Sequence, residues 1–500
     1  STLPNVPFAS SGRADFSSDG INALIQQYDK RVILNWQSFN IGAGNGVEFK
    51  QPDAGSAALN HIWQGDASRI AGKLNANGQV YLINQNGILF DKGAQINVHS
   101  LIASSLNISD DIFNNGGLFS QVDESTLAPG GLKHALEGDD ASGAIVVNVD
   151  ASLTAQSGGK IMLFAPTLEN SGTIQAPDGQ VILAAGKKVY LQGSQDINLR
   201  GLLVEVDGGG TVTNTAGTGT IIAERGNITL MGLAVNQMGR VSATTSVRAN
   251  GSIRLLARDT PMLTDQGMKA QRTGQVLLGL GSTTRIMPEV NDSATIDDNV
   301  TFSPSFIEVM GKTVRHEGDI IAPGGSVTLR ALANPSDLSP NPARDDSRVY
   351  LSETSRIDVS GTEEVVLPMS RNQLEVELRG DELKDYPLQR NGVLRGKKVT
   401  IDVRQGTPVA DVSKYLKTIP RTVAEKTVAG GTVSIESQGD AVMRPDSVID
   451  VSGGEVRYLD GVINTTKLIA QGKVYDISEA PADLVYDGIL GEYTKRSAKW

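Results

Sequence analysis

Cysteine is absent from the 500 residues, which excludes a disulfide scaffold, a thiolate metal site and a cysteine nucleophile. Aromatic residues are scarce, 5% of the chain against 39% hydrophobic residues in all. A core must therefore be built from small aliphatic side chains spread over a long surface. No run of about 18 apolar residues occurs, so no bilayer-spanning helix is expected. Positive charge is also short: 45 Lys and Arg face 56 Asp and Glu, a net charge of −11. The basic residues stand singly or in pairs such as Lys187-Lys188 and Lys397-Lys398, which argues against nucleic acid and anionic membrane as partners. The chain starts at Ser1 with no basic and apolar leader, as in a mature secreted protein and equally in a trimmed chain.

Glycine is abundant, 55 of the 500 residues, and it punctuates a recurring phrase: a Gly or polar turn, then apolar-x-apolar, then a small residue. The phrase appears at Gly159-Lys160-Ile161-Met162-Leu163, Gly179-Gln180-Val181-Ile182-Leu183, Gly226-Asn227-Ile228-Thr229-Leu230, Gly251-Ser252-Ile253-Arg254-Leu255 and Gly325-Ser326-Val327-Thr328-Leu329. With Val204 and Val276 included, the first apolar residues recur at intervals of about 20 to 25 residues, the mark of a solenoid. Within each phrase the period is two, so the unit is a strand. A second phrase precedes several of these, as at Gly172-Thr173-Ile174 and Gly318-Asp319-Ile320.

Two or three short strands per repeat, joined by Gly, Asn and Asp turns, predict an all-β chain coiled as a parallel β-helix. Equivalent side chains then stack about 4.8 Å apart. About 400 coiled residues at about 22 per turn would give about 18 turns, a rod of about 85 Å. A β-sandwich would instead need hairpin turns every 8 to 12 residues. Residues 103–150 carry a polar stretch beginning Asp110-Asp111 and ending Gly116-Gly117, read as projecting loops or short hairpins. Residues 331–425 begin with Pro335, Pro340 and Pro342, are rich in charge, and read as an excursion, a small subdomain. The phrase Arg356-Ile357-Asp358-Val359 inside it recurs as Val448-Ile449-Asp450-Val451, so the coil is expected to resurface. An open solenoid needs capped ends. Residues 1–35, with a short helix expected over Gly20 to Tyr28, read as the N-terminal cap.

Beyond the cap, Trp36-Gln37-Ser38-Phe39-Asn40-Ile41-Gly42, Ser68-Arg69-Ile70-Ala71-Gly72 and the run from Leu74-Asn75-Ala76 to Gly87-Ile88-Leu89-Phe90 resemble the secretion domain of filamentous-haemagglutinin-like exoproteins. These belong to the two-partner secretion systems of Gram-negative bacteria. The resemblance is close over about residues 15 to 120 and looser, to the repeats of large adhesins, from 150 onward. It implies a right-handed β-helix and export through a cognate outer-membrane β-barrel transporter. The family's Asn-Pro-Asn-Gly-Ile motif appears as Asn84-Gln85-Asn86-Gly87-Ile88, so these five are the candidate secretion motif. Gln85 replaces proline, which leaves the turn without a fixed φ, and the family's Asn-Pro-Asn-Leu motif is not visible. The expected organisation is a cap over 1–35, a secretion domain over 36–250, continuing repeats over 251–330, the excursion over 331–425 and further repeats over 426–500.

Candidate chemistry is sparse. His61, His99, His134 and His316 stand far apart without a metal-binding pattern and read as turn or surface residues. Gly159-Lys160 lacks the glycine and hydroxyl spacing of a phosphate loop. The acid pairs Asp110-Asp111, Asp139-Asp140, Asp297-Asp298 and Asp345-Asp346 are adjacent, so on a strand they would face opposite ways. They read as solvated turns. No catalytic, metal-binding or cofactor-binding residue is expected, and the chain is not expected to be an enzyme. Arg379-Gly380-Asp381 is a receptor-type tripeptide in the charged excursion. Tyr458, Tyr475, Tyr486, Tyr493 and Trp500 are rings of a sugar-stacking kind, with buried packing as the preferred reading, and Trp36 and Trp63 are expected to close the cap. The expected function is a secreted adhesin, extracellular or on the cell surface, a rod attaching to cells, a host receptor or matrix polysaccharide in a biofilm. A β-helix carbohydrate-active enzyme and the stalk of a contact-dependent toxin system are the alternatives.

Overall fold

The computed structural model describes residues 2–116, 118, 134–196, 199–264, 267–337, 339 and 342–492; Gly117, Pro340, Tyr493 and Trp500 lie outside them. The chain divides into two compact units, one formed by Ser1–Glu289, Ser303–Gly361 and Ala429–Gly453 and the other by Val290–Phe302, Thr362–Val428 and Gly454–Trp500.

The first unit is a parallel β-helix. One coil runs through Gln79–Ile83 in sheet A, Ile88–Phe90 in sheet C and Gln95–Val98 in sheet B, and Ser100–Ser104 then returns to sheet A. Because successive side chains in a strand point to opposite faces, alternate residues enter the lumen. Those residues stack in register: Val80 on Leu101, Leu101 on Ile161, Ile161 on Val181, then Ile228, Ile253, Ile307 and Val327. Each of these is 0% exposed, and burying such a side chain contributes about 1.5–3 kcal/mol. The repeated phrase therefore marks one corner of the coil, where the chain enters sheet A.

The phrase misleads at two positions. Val204 lies in the antiparallel hairpin of Lys188–Gly193 and Leu202–Asp207 outside the coil, and Val276 lies in sheet C, in register with Val235 and Val314. The true member between Ile253 and Val327 is Ile307, which follows Pro304-Ser305-Phe306 instead of glycine. Among the described residues sheet A holds eleven parallel strands, from Arg31–Trp36 to Thr432–Ser437. That is fewer than the expected eighteen turns because insertions consume chain. Four of them, 105–144, 186–210, 258–273 and 332–347, leave the coil between sheets A and C. The recurrence at 356 and 448 is real stacking, with Arg356, Ile357 and Asp358 opposite Val448, Ile449 and Asp450.

The N-terminal end is closed by antiparallel pairing, Phe8–Ser11 on Arg31–Trp36 and Ala14–Ser18 on Asn22–Gln27. The helix expected over Gly20 to Tyr28 is instead the strand Asn22–Gln27. Its burial alternates, with Ala23, Ile25 and Gln27 inward, which is the period of a strand and not of a helix. Trp36 is fully buried at this end, between the rings of Phe16 and Phe39 at 6.1 and 5.0 Å, and its Nε1 donates to Asn60 Oδ1 at 2.9 Å. Trp63 does not close the cap; it is 65% exposed.

A second apolar layer covers the outer face of sheet A in the earlier coils. Tyr81, Ile102, Met162, Phe164 and Ile182 point outward and pack with Phe113, Leu136, Val189, Leu191, Val204 and Val206 from the insertions. Within the stretch expected to form loops, Asp110–Asn114 is a short helix capped by Ser109, whose Oγ accepts from Ile112 N; Phe113 anchors it edge-on to Tyr81, 5.3 Å between rings. Residues 119–133 of that stretch lie outside the described residues. In later coils one outward column turns polar, Thr229, Arg254 and Glu308 following Ile182, while the next stays apolar through Met231, Leu256 and Met310. Arg254 meets Glu308 at 2.7 Å, and Arg258 pairs with Glu205. Burial pushes the Glu308 carboxyl upward, but Arg254 and Arg258 overcome it and hold the group below its ordinary range.

The second unit has its own core of Val376, Leu378, Leu383, Val399, Ile401, Leu468 and Tyr486. Antiparallel pairs Gln373–Glu377 with Lys398–Asp402 and Lys467–Ala470 with Lys473–Asp476 supply its strands. The short helix Val423–Lys426 starts in a capping box of Thr422 and Glu425. The division differs from the expected one at both edges. Residues 331–361 still carry coil strands, and only 429–453 of the expected final repeats do; 454–492 belong to the second unit, with Val456–Leu459 parallel to Val365–Pro368 and the later strands antiparallel.

Candidate functional site

Asn84, Gln85, Asn86, Gly87 and Ile88 form the turn that carries one coil from sheet A to sheet C. Gly87 N donates to Asn84 O at 2.9 Å and closes it, while Asn84 Oδ1 accepts from Asn86 N at 2.9 Å. These bonds hold the turn without the ring constraint of a proline. Asn84 is fully buried, and its Nδ2 donates to Asp66 O at 3.1 Å and Ser68 Oγ at 3.0 Å in the preceding coil. Asn86 Nδ2 donates to Gln64 O at 2.8 Å on the same side. On the other side Gly143 N donates to Gln85 O at 2.7 Å and Ile88 N to Ala144 O at 3.1 Å. Gly87 is required here: its φ is +101°, and a Cβ would lie 2.4 Å from Ala144 O. Ile88 enters the lumen, stacked between Ser68 and Ile145.

The motif is therefore a clamp that joins three levels of the stack. The sequence points to Asn84 through Ile88 but not to Gln64, Asp66, Ser68, Gly143 and Ala144, which complete it from as far as 58 residues away, the separation of Gln85 and Gly143. Its outer flank is lined by His61, Trp63, Gln64, Gln85, Asn86 and Asn107. His61 Nε2 lies 2.9 Å from Asp110 Oδ1, and His134 Nε2 lies 2.9 Å from Glu137 Oε2. A hydrogen bond from Lys188, aided by His134, holds the Glu137 carboxyl below its ordinary range.

The other candidate residues lie apart from this turn. Arg379-Gly380-Asp381 is an exposed bend in the second unit, where Arg379 Nε donates to Glu377 Oε1 at 2.6 Å and Asp381 pairs with Lys414. The N–H groups of Arg379 and Gly380 both donate to Glu382 Oε2, so both charges of the tripeptide are engaged within the chain. His61 and His316 are not surface or turn residues. His316 is 0% exposed in sheet C, stacked between Leu278 and Leu351, and burial lowers the pKa of its imidazole. Among the described residues no group of three or more His, Asp and Glu side chains is placed to hold a metal ion. The acid pairs sit in turns, a helix start and ion pairs: Asp140 with Lys187, Asp298 with Lys426, Asp346 with Lys312. Tyr475 packs edge-on against the buried Tyr486 at 6.2 Å, while Tyr458 is exposed.

A family model of the TPS secretion domain matches residues 9–278, which spans the cap, the turn and the first eight parallel strands of sheet A. The chain belongs to the two-partner secretion (TPS) family. A TPS exoprotein is the coarse identity that the fold, the motif and this match share. The heme/hemopexin-binding protein of Haemophilus influenzae strain Rd is 33% identical over 207 residues, 38% of this chain and 23% of that protein. A second Haemophilus influenzae protein of the same name is 43% identical over 84 residues, 17% of this chain and 9% of that protein. The chain thus matches less than a quarter of the length of these relatives. The crystal structure of the HMW1 secretion domain from Haemophilus influenzae superposes with a TM-score of 0.54 at 22% identity, covering 73% of this chain and 86% of that one; this shares the β-helix fold. Among the described residues no helix is long and apolar enough to cross a membrane.

Proposed function

We propose that this chain is the export-directing part of a secreted adhesin. Its early coils are recognised by a cognate outer-membrane β-barrel transporter, and the folded chain then serves attachment to cells or matrix polysaccharide outside the bacterium. The observation that carries the reading is the Asn84–Ile88 clamp within the matched TPS region: a motif of export signals, built so that three levels of the coil close at once. Coil-on-coil stacking supports it physically, since a chain emerging from a pore can fold by adding one coil to the last. The absence of cysteine removes any cross-link that would obstruct threading. The acid pairs are engaged in turns and ion pairs, which favours a binding role over a hydrolytic one.

Secretion with the co-expressed transporter tests the export half. Asn84→Ala and Asn86→Ala remove the bonds to Ser68, Asp66 and Gln64, and each is expected to lower the secreted amount severalfold at unchanged expression. Normal secretion of both variants would sink the assignment of the turn to export.

A further inference from the structure

Trp63 is an indole that neither the lumen nor the outer layer buries. It follows the strand Ala57–Ile62, whose six residues are all buried, yet it is 65% exposed. It is nonetheless fixed in place. Its backbone N donates to Trp36 O at 2.8 Å and its Nε1 to Asn35 Oδ1 at 3.1 Å. The ring stacks on His61 at 5.8 Å and 29°, and Asp110 holds that imidazole at 2.9 Å. Held in one orientation, the ring presents a preformed apolar plane.

The indole borders a cleft of about 220 Å³, lined also by Gln64, Gln85, Asn86 and Asn107. Through Gln85 and Asn107 this continues into a second cleft of about 590 Å³ that reaches Glu137, Asp139 and Ser142. Gln85 and Asn107 are exposed, and among the described residues no hydrogen bond engages their side-chain amides. An aromatic plate beside free amides, which both donate and accept, matches the two faces of a sugar ring: apolar C–H groups on one side and hydroxyls around the rim.

We infer that this cleft binds a neutral sugar residue of a glycan, stacked on Trp63 and hydrogen-bonded by Gln85 and Asn107. The charges beside the cleft select for neutrality. Asp110, Glu137 and Asp139 are carboxylates, while Lys187 and Lys188 are paired with Asp140 and Glu137, so an anionic glycan would meet net repulsion. An extended peptide is disfavoured because Ala57–Ile62 is already paired on both edges, with Arg31–Trp36 and Gln79–Ile83. The inference rests on the attachment reading above and supplies its ligand class.

The test applies the purified 500-residue chain to an array of neutral hexose and N-acetylhexosamine oligosaccharides, with sialylated and sulfated ones beside them. Binding to neutral glycans is expected, falling at least tenfold in Trp63→Ala and severalfold in Asn107→Ala, with Trp63→Phe retaining a part. Unchanged melting temperatures check the fold of each variant. Absent neutral binding, a preference for the anionic glycans, or equal binding by folded Trp63→Ala would overturn it. So would a Trp63→Ala chain that binds glycans normally and fails only in secretion, which assigns the cleft to the transporter. Beads carrying the chain separate the two readings. If Trp63→Ala beads attach to cells as well as wild type, the glycan site falls and attachment stands; if wild-type beads attach to nothing, the attachment reading itself falls.

Discussion

The two faces of sheet A obey different rules. Facing the lumen, one column repeats the same kind of residue at every level, Leu101, Ile161, Val181, Ile228, Ile253 and Ile307. Facing outward, the neighbouring column begins Ile33, Leu59, Tyr81, Ile102, Met162, Ile182 and ends Thr229, Arg254, Glu308, Thr328, Ser434. The lumen is covered by the coil itself, so every level needs an aliphatic residue there. The outer face is covered by the insertions, and one of its columns admits buried polar residues there, Thr229 and the Arg254-paired Glu308.

The sharpest way to break the contrast is a charge in the lumen. Ile161→Asp places a carboxylate without a partner at a 0% exposed position and is expected to cost about 4 kcal/mol or more, read as a large fall in the denaturant midpoint. An unchanged midpoint would remove Ile161 from the lumen. Next comes truncation on the outer face. Phe164 is equally buried, but by the insertions, and Phe164→Ala should cost about 3–5 kcal/mol. The same truncation at Thr328, an outer position of a later coil, should shift stability by less than about 0.5 kcal/mol. Equal effects at the two positions would show that the outer layer is no second core.

The smallest effect is in pH. His316 sits between Leu278 and Leu351 in a column that also holds the buried amides Asn170, Asn214 and Gln237; its Nε2 donates to Arg356 O at 3.1 Å, and Nδ1 is a buried atom without a partner. Burial lowers its pKa below the ordinary value of 6.5, so the unfolded chain takes up a proton that the folded one refuses. Its contribution to stability is complete above about pH 6.5 and is lost as the pH falls toward the folded pKa, at up to about 1.4 kcal/mol per pH unit. Melting curves from pH 7.5 to 5 should fall less steeply for His316→Leu than for the natural chain. Parallel curves would mean that the ring is already protonated or solvated when folded.

Legibility followed the same division. Ile161, Val181, Ile228, Ile253 and Val327 announced themselves because a glycine turn and a strand of period two precede the same corner each time. Ile307 was hidden by a proline-containing entry, and Val204 imitated the phrase because a surface hairpin strand needs the same alternation. Asn22–Gln27 reads as a helix in the sequence because its residues lack the phrase of the repeat, yet the strand pairs antiparallel with Ala14–Ser18 and parallel with Gly46–Lys50. At the site, the residues of the turn were readable while their partners Gln64, Ser68 and Gly143 were not, since nothing local marks which turn stacks on which. Trp63 had a signal in principle: it shares the outward parity of His61.

By itself the chain's own pattern determined that it coils and which residues line the lumen at the repeated corner, because those requirements repeat within a coil and act over a few residues; the Asn84–Ile88 turn was marked by its motif alone. Only the tertiary structure decided how the insertions distribute. It put some over the outer face of sheet A, gathered 290–302, 362–428 and 454–492 into a separate unit, and brought Trp63, Gln85 and Asn107 to one cleft. Those contacts join segments of unrelated pattern, and their pairing is fixed by packing and not by any period.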